Sequence, residues 1–413
     1  MNAIINNIVT KFIPLLLISF ILIGVLTDFN AGMFVLEGVS GADAEDSDDV
    51  LEISGFHAQI NLPPPPAAAI APVAASAPGA AIAPAAQRSG PVISTSHTLS
   101  SFINPLTGTA TATDISRNRP VAVSISNSRP ALPSNATNGI SQADIVYEFL
   151  VEGGITRFLG IYQDFTNVGV VGSIRSTRHY MAEIVEAYNA MFIHAGGSPL
   201  GFEEVDNRGI TAFDSVRGRR DEIFTRNTNR VPGFTVENYH GMTTSGSAFS
   251  RWLPTYGLQL THDNNFMQEL NFTHNPIPNG VRAHRVNVKF SSGKDSTFNY
   301  NESQGLYYMS QFGSQFTDAN NGIPVAFSNL LILDMPIEDL VGHGEGAGRQ
   351  DMSTVGIGTG FFASSGRVAP IIWFRDNKSS QFIYIFENGH EIELAHGKTY
   401  IGLVPPELNT IFN

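Results

Sequence analysis

One stretch, residues 144–199, constrains this chain more than any other. It reads Asp-Ile-Val-Tyr-Glu-Phe-Leu-Val-Glu-Gly-Gly-Ile-Thr-Arg-Phe-Leu-Gly-Ile-Tyr, passes through Gly-Ser-Ile-Arg-Ser-Thr-Arg-His, and ends on Phe-Ile-His-Ala-Gly-Gly-Ser-Pro. Apolar segments run into Gly/Ser-rich turns, and each turn opens what reads as a helix start. Open α/β sheets place ligand-binding groups at such turns, where backbone N–H groups are free and partial positive charge gathers. Arg175, Arg178, His179 and His194 all fall there.

The surrounding pattern predicts an α/β sandwich over residues 101–262. Residues 121–125 alternate as a strand does. Ser141 is placed to cap a helix carrying Asp144, Val146, Tyr147 and Leu150, with Gly153-Gly154 as its stop. Residues 155–165 read as a second strand with Arg157 near its start. Ser173 or Ser176 is placed to cap the next helix, where Met181, Ile184, Val185 and Tyr188 follow i, i+3, i+4, i+7. Residues 190–194 form a short strand, Gly196-Gly197 turns it, and Ser198 caps a helix with Pro199 at its first position. Ser245, Phe249 and Trp252 indicate a closing helix.

Beyond an Asn/Pro-rich hinge at 275–280, strand signals dominate, and residues 281–406 read as a mostly β, α+β domain. Residues 286–290 alternate, Ser292-Gly293 turns, and Phe298, Tyr300, Leu306 and Tyr308 indicate the next pair. Residues 330–333, 371–374 and 382–386 are compact apolar runs. Asn388-Gly389 is a hairpin turn, 391–394 returns, and 400–404 closes the domain. The glycine-rich segments 342–348 and 356–360 lack the Lys-Ser/Thr of a phosphate loop. They read as β-loops or bulges. The alternative is a polar site of His343, Glu345, Arg349 and Asp351 facing the first domain.

The N-terminal hundred residues differ in kind. Residues 12–26 are almost wholly apolar, with Lys11 before them and Asp28 after; residues 31–35 can extend the run toward bilayer length. The expectation is a cytoplasmic stub at 1–11, a membrane anchor or signal at 12–36 in the form of a single transmembrane helix, and folded domains outside the cell membrane. A cleaved secretion signal is the alternative. Residues 37–100, first acidic and then Pro/Ala-rich, read as a disordered stalk. The net charge of −13 disfavours a nucleic-acid partner, which requires clustered Lys and Arg. With no cysteine, the chain has no disulfide, thiolate metal site or lipobox thiol.

The segments 104–108, 144–158, 172–179 and 194–199, together with the second domain, resemble the YerB-like lipoproteins, a bacterial family of unknown function. The resemblance covers about residues 102–406. It implies an envelope protein held at the outer face of the membrane. This chain departs from the pattern in lacking the lipobox Cys, so its anchor would be the apolar N-terminus.

Arg175 and Arg178 lie three apart beside Ser176 at the expected helix start, and with Arg157, His179, His194 and Ser198 they form a candidate anion site. Helix N-termini attract anions, and arginine adds paired donors that fit phosphate or carboxylate. Asp144, Glu148 and Glu152 are the supporting acids; the alternative is that they pair with the arginines only to brace the fold. No residues have metal-ligand spacing and no cofactor motif is present, so neither is expected. A loose pattern similarity to the LytR-type glycopolymer transferases would give parts only to Asp144, Arg157, Arg175 and Arg178. Charges at 208–230 read as a surface loop, or as a rim guiding an anionic ligand. Three functions stay open: a non-catalytic binding or regulatory module for a cell-wall glycan or wall-synthesis enzyme, an enzyme on an anionic or lipid-pyrophosphate-linked glycan, and a structural tether.

Overall fold

The apolar runs become strands, and most of them join one sheet. The computed structural model describes residues 102–413, apart from Glu269, Pro278, residues 343–345, Ala347 and Asn409. The expected anchor at 12–36 and stalk at 37–100 lie outside the described residues. Among the described residues no helix is long and apolar enough to cross a membrane.

The main strands are β1 (Val121–Asn127), β2 (Ile145–Leu150), β3 (Thr156–Tyr162), β4 (Met191–His194), β5 (Ala212–Asp214), β6 (Arg285–Ser291), β7 (Lys294–Asn301), β8 (Leu306–Gln311), β9 (Asn329–Asp334), β10 (Gly356–Ser364), β11 (Arg367–Arg375), β12 (Ile383–Phe386) and β13 (Thr399–Val404). Among the described residues three α-helices accompany them: α1 (His179–Ala187), α2 (Pro199–Asn207) and α3 (Gly246–Trp252). The fold is therefore mostly β with few helices.

An 11-stranded sheet runs in the order β5, β4, β1, β3, β2, β13, β9, β10, β11, with β12 and residues 281–282 on the far edge of β11. It crosses the hinge between the two halves of the chain: β13 lies parallel to β2, Thr399 opposite Ile145, and parallel to β9 on its other side. The expected division at 262–281 separates sequence segments that share backbone hydrogen bonds. A second antiparallel sheet, built on β6, β7 and β8, covers one face of the large sheet.

Residue alternation in β2 shows the layering. Ile145, Tyr147 and Phe149 belong to one core cluster with Tyr180, Met181, Ile184 and Val185 of α1. Val146 and Leu150 belong to the other, with Val286, Phe290 and Phe298 of the second sheet. Period-2 alternation between two buried faces fixes the strand's register, because a one-residue slip would exchange every side chain. Glu148 points to the second-sheet side. There it is fully buried and is met by the Lys294 ammonium at 2.9 Å, the Tyr400 hydroxyl at 2.7 Å, Ser296 and Asn127.

This corrects the expectation of a helix over 141–150. A β-branched and aromatic run with hydrogen-bonding neighbours on both edges adopts a strand, and tertiary pairing decides where local propensity does not. Gly153 and Gly154, both at φ +69°, form the tip of the β2–β3 hairpin rather than a helix stop. Ser141 caps no helix; its hydroxyl donates to Asp318 at 2.7 Å. Neither Ser173 nor Ser176 caps α1, which begins after Arg178 without any side-chain cap. Ser198 does cap α2, its Oγ accepting from the Gly201 N–H at 3.0 Å. Ser245 likewise caps the closing helix, α3.

Candidate functional site

β1, β2, β4, β5, β9 and β13 all point the same way, with β3 antiparallel between β1 and β2. The carboxyl ends of such strands, near a reversal of strand direction, are where open sheets collect ligands. Three of the expected arginines gather at that end. Arg157 enters at the start of β3, level with the tails of β1 and β2. Residues 174–178 run alongside, with Ile174 bridged to Ile125 of β1 and Thr177 to Gly197 beyond β4.

Arg157 is 6% exposed, and its Nη1 donates to the Ser176 carbonyl at 2.6 Å. Arg178 is 7% exposed; it donates to the Thr177 carbonyl at 2.6 Å and pairs with the Glu152 carboxylate, while its Nε is buried without a partner. Arg175 is half-buried. It donates to the Tyr239 carbonyl at 2.9 Å and lies 5.5 Å from the centre of that ring. Arg349, from the second half of the chain, brings its Nε to 3.4 Å from the same Glu152 carboxylate. Beside them His179 Nε2 meets Asp351 at 2.8 Å, and the buried Nδ1 has no partner.

The charges act on one another. Burial, then the neighbouring Arg178, lowers the Arg157 guanidinium to about 9, partly offset by Glu152. It is still cationic at neutral pH. Burial lowers Arg175 as well, with Arg178 contributing. Burial works against ionising Glu152, but Arg178, a backbone hydrogen bond and Arg157 outweigh it and hold the carboxyl below its usual range. His240 is pushed down to about 4 by burial, Arg175 and Arg230. A chain with net charge −13 thus concentrates arginines around one carboxylate. Water reaches them at Arg175, Ser176, Glu152 and Arg349.

The remaining candidates stand elsewhere. Asp144 precedes β2, whereas Glu152 follows it. At about 3.3 Å per residue the two lie roughly 25 Å apart. Asp144 accepts from the Gln163 N–H at 2.7 Å and the Asn104 amide at 3.0 Å. It therefore braces the opposite end of the strand. Glu148 pairs with Lys294 and not with the arginines. His194 is completely buried, with Nδ1 donating to the Gly196 carbonyl at 2.9 Å. Ser198 is occupied in capping. Ser176 is part of the cluster through its carbonyl, while its hydroxyl donates to Ala195 at 3.3 Å.

Of the alternative polar site in the second half, Arg349 and Asp351 face the first half, meeting Glu152 and His179; His343 and Glu345 lie outside the described residues. Tyr239, missed in the sequence, carries no local signal that places it against Arg175. The 208–230 charges are largely spent locally: Arg217 and Arg219 on Asp206, Arg208 on Glu186 and Glu204, and Arg230 inside against Asn138 and His240. Two surface grooves lie away from the cluster. One of about 540 Å³ is lined by Pro276, Pro370, Phe386, Glu387, His390 and Glu391, and one of about 600 Å³ by Val205, Asp206, Thr211 and Arg219 among others.

Fold and site together define a class: a mostly β protein whose two halves share a sheet and carry an arginine cluster at the carboxyl ends of its parallel strands. Residues 106–250 match the family described as "Protein of unknown function (DUF3048) N-terminal domain", and residues 286–401 match its "C-terminal domain". The chain belongs to this YerB-like family. It is 27% identical over 304 residues to "Putative lipoprotein YerB" of Bacillus subtilis (strain 168), covering 73% of this chain and 86% of that protein. The crystal structure of the YerB protein from Bacillus subtilis matches with a TM-score of 0.63 at 26% identity, covering 75% of this chain and 99% of that one.

Proposed function

We propose that this is a membrane-held extracytoplasmic envelope protein that binds an anionic cell-wall component through the cluster of Arg157, Arg175, Arg178 and Arg349. The observation that carries the reading is Arg157. Its buried charge has a carbonyl as hydrogen-bond acceptor instead of a carboxylate, and it lies beside two further guanidiniums. Crowding three guanidiniums around the single Glu152 carboxylate is costly for a fold that only needs bracing, and sets Arg157 apart from Arg230, which is buried with no arginine beside it. An incoming anion supplies the counter-charge. The apolar run at 12–26 and the lipoprotein name of the relative support the location. A binding role is favoured over catalysis because Asp144, the acid that a transferase-like reading needs, sits at the far end of β2.

The test is retention of the detergent-solubilised full chain on immobilised poly(glycerol phosphate), with a neutral glucan as control. Retention on the polyanion alone, reduced by Arg175→Gln, supports the reading. Equal behaviour on both matrices removes it.

A further inference from the structure

The carboxylate at the mouth of the cluster is itself informative. Glu152 accepts from Arg178, in the first family segment, and is paired with Arg349, in the second. Arg157, Arg175, Arg178 and Arg349 bring four positive charges to the one negative charge of Glu152, an excess of three. Arg178 Nε, buried and unpartnered, adds a donor that Glu152 does not satisfy. The carboxylate therefore underfills its surroundings.

Its position allows it to leave. Glu152 stands at the tip of the β2–β3 hairpin, followed by Gly153 and Gly154 at positive φ, with open space around Gly153. The base of the turn is fixed: the Val151 N–H donates to the Ile155 carbonyl at 2.8 Å, and the Ser291 hydroxyl donates to the Gly154 carbonyl at 2.7 Å. The Glu152 side chain is 28% exposed and that of Arg349 24%, against 8% for Arg178. Rotating one side chain outward uncovers the buried guanidinium without moving the sheet.

We propose that Glu152 is the tethered resident of a composite phosphate site, and that a ligand group with at least two negative charges, a phosphate monoester or pyrophosphate, enters by displacing it and bridges Arg178 and Arg349. This rests on reading the cluster as an anion site. It adds the ligand's charge class, the involvement of both halves of the chain, and an internal competitor. Planar guanidiniums bind phosphate oxygens in pairs, and a group with two or more negative charges answers more of the excess than a single carboxylate does.

The experiment is calorimetric titration of inorganic pyrophosphate into the full chain, comparing wild type, Glu152→Gln and Arg349→Gln, with melting temperature recorded for each. Removing the competitor should tighten binding about tenfold or more, and removing Arg349 should weaken it by a similar factor. Equal affinity in wild type and Glu152→Gln overturns the displacement while leaving an anion site in place. No heat from either protein overturns the anion site itself. If Glu152→Gln fails to fold, Glu152→Asp takes its place, since its shorter carboxylate reaches Arg178 less well. A rise in affinity then supports the proposal, and unchanged or weaker binding overturns it.

Discussion

Lys294 and Glu148 form an ion pair at 2.9 Å with both side chains withdrawn from water, and they join the two halves of the chain. Burial lowers the Lys294 ammonium, and Glu148 counters that shift. The carboxylate's other bonds, to Asn127, Thr156, Ser296 and Tyr400, saturate it. Removing only the cation leaves a buried charge that has lost its counter-ion. Lys294→Met should therefore lower the unfolding free energy by about 3–5 kcal/mol. The double variant Glu148→Gln/Lys294→Met should recover much of that loss. Urea unfolding of the three proteins measures both effects; a Lys294→Met midpoint equal to wild type contradicts the first.

Ser198 separates a structural role from a binding one. Its hydroxyl caps α2 and is buried. Ser198→Ala should cost about 1 kcal/mol of stability, the usual value for a lost N-cap. Because the hydroxyl is engaged by Gly201, pyrophosphate affinity should not change. Titration and thermal melting on the same preparation check the pair; a weakened affinity with an unchanged melting temperature would return Ser198 to the site.

Much of this was legible beforehand, for physical reasons that differ by residue. Ser198-Pro199 is a local signal whose cap needs only the next three residues, and it is found as expected. Arg157, Arg175 and Arg178 gather because each flanks a turn at one end of the same sheet. The misread strand β2 shows the limit. Its run Ile-Val-Tyr-Glu-Phe-Leu is apolar on both faces, so helical and extended periods fit it almost equally. Glu148 reads as a supporting acid for the arginines unless its actual cation, Lys294, is known, and that cation lies in the other half of the chain. Arg349 and Asp351 read, as the alternative to a plain β-loop, as part of a polar site facing the first domain, but with no partner named there. Their meeting with Glu152 and His179 depends on β9 and β13 joining the first half's sheet, a long-range pairing that no local pattern encodes.

Acid should weaken the fold from about pH 6.5 downward, above the range in which unperturbed carboxylates titrate. His240 and His262 are each lowered to about 4 from the ordinary 6.5, mainly by burial, then by Arg175 for the first and Arg119 for the second. Burial lowers His194 too. As pH falls, the unfolded chain takes up these protons first, so their contribution is complete above pH 6.5 and is lost toward pH 4. Asp144 acts in the opposite sense. Burial raises its carboxyl to about 6 from 3.8, so the folded state binds that proton first over much of the same range. Burial raises Asp334 too, and three histidines against two carboxyls leave a net loss. Denaturant midpoints between pH 8 and pH 4 should decline from about 6.5 downward, with a shallower slope in His240→Asn/His262→Asn. A flat profile in wild type contradicts the assignment.

The central claim is that guanidiniums at one end of the sheet receive a phosphate-class anion, and the arginine Nε–H resonances report on it directly. In ¹⁵N-labelled full chain, with signals assigned through Arg157→Lys, Arg175→Lys and Arg178→Lys, pyrophosphate should shift all three together and saturably. The signals of Arg217 and Arg219, already engaged by Asp206, should stay in place. If the three cluster arginines do not move, or the surface arginines move equally, the chain has no such site.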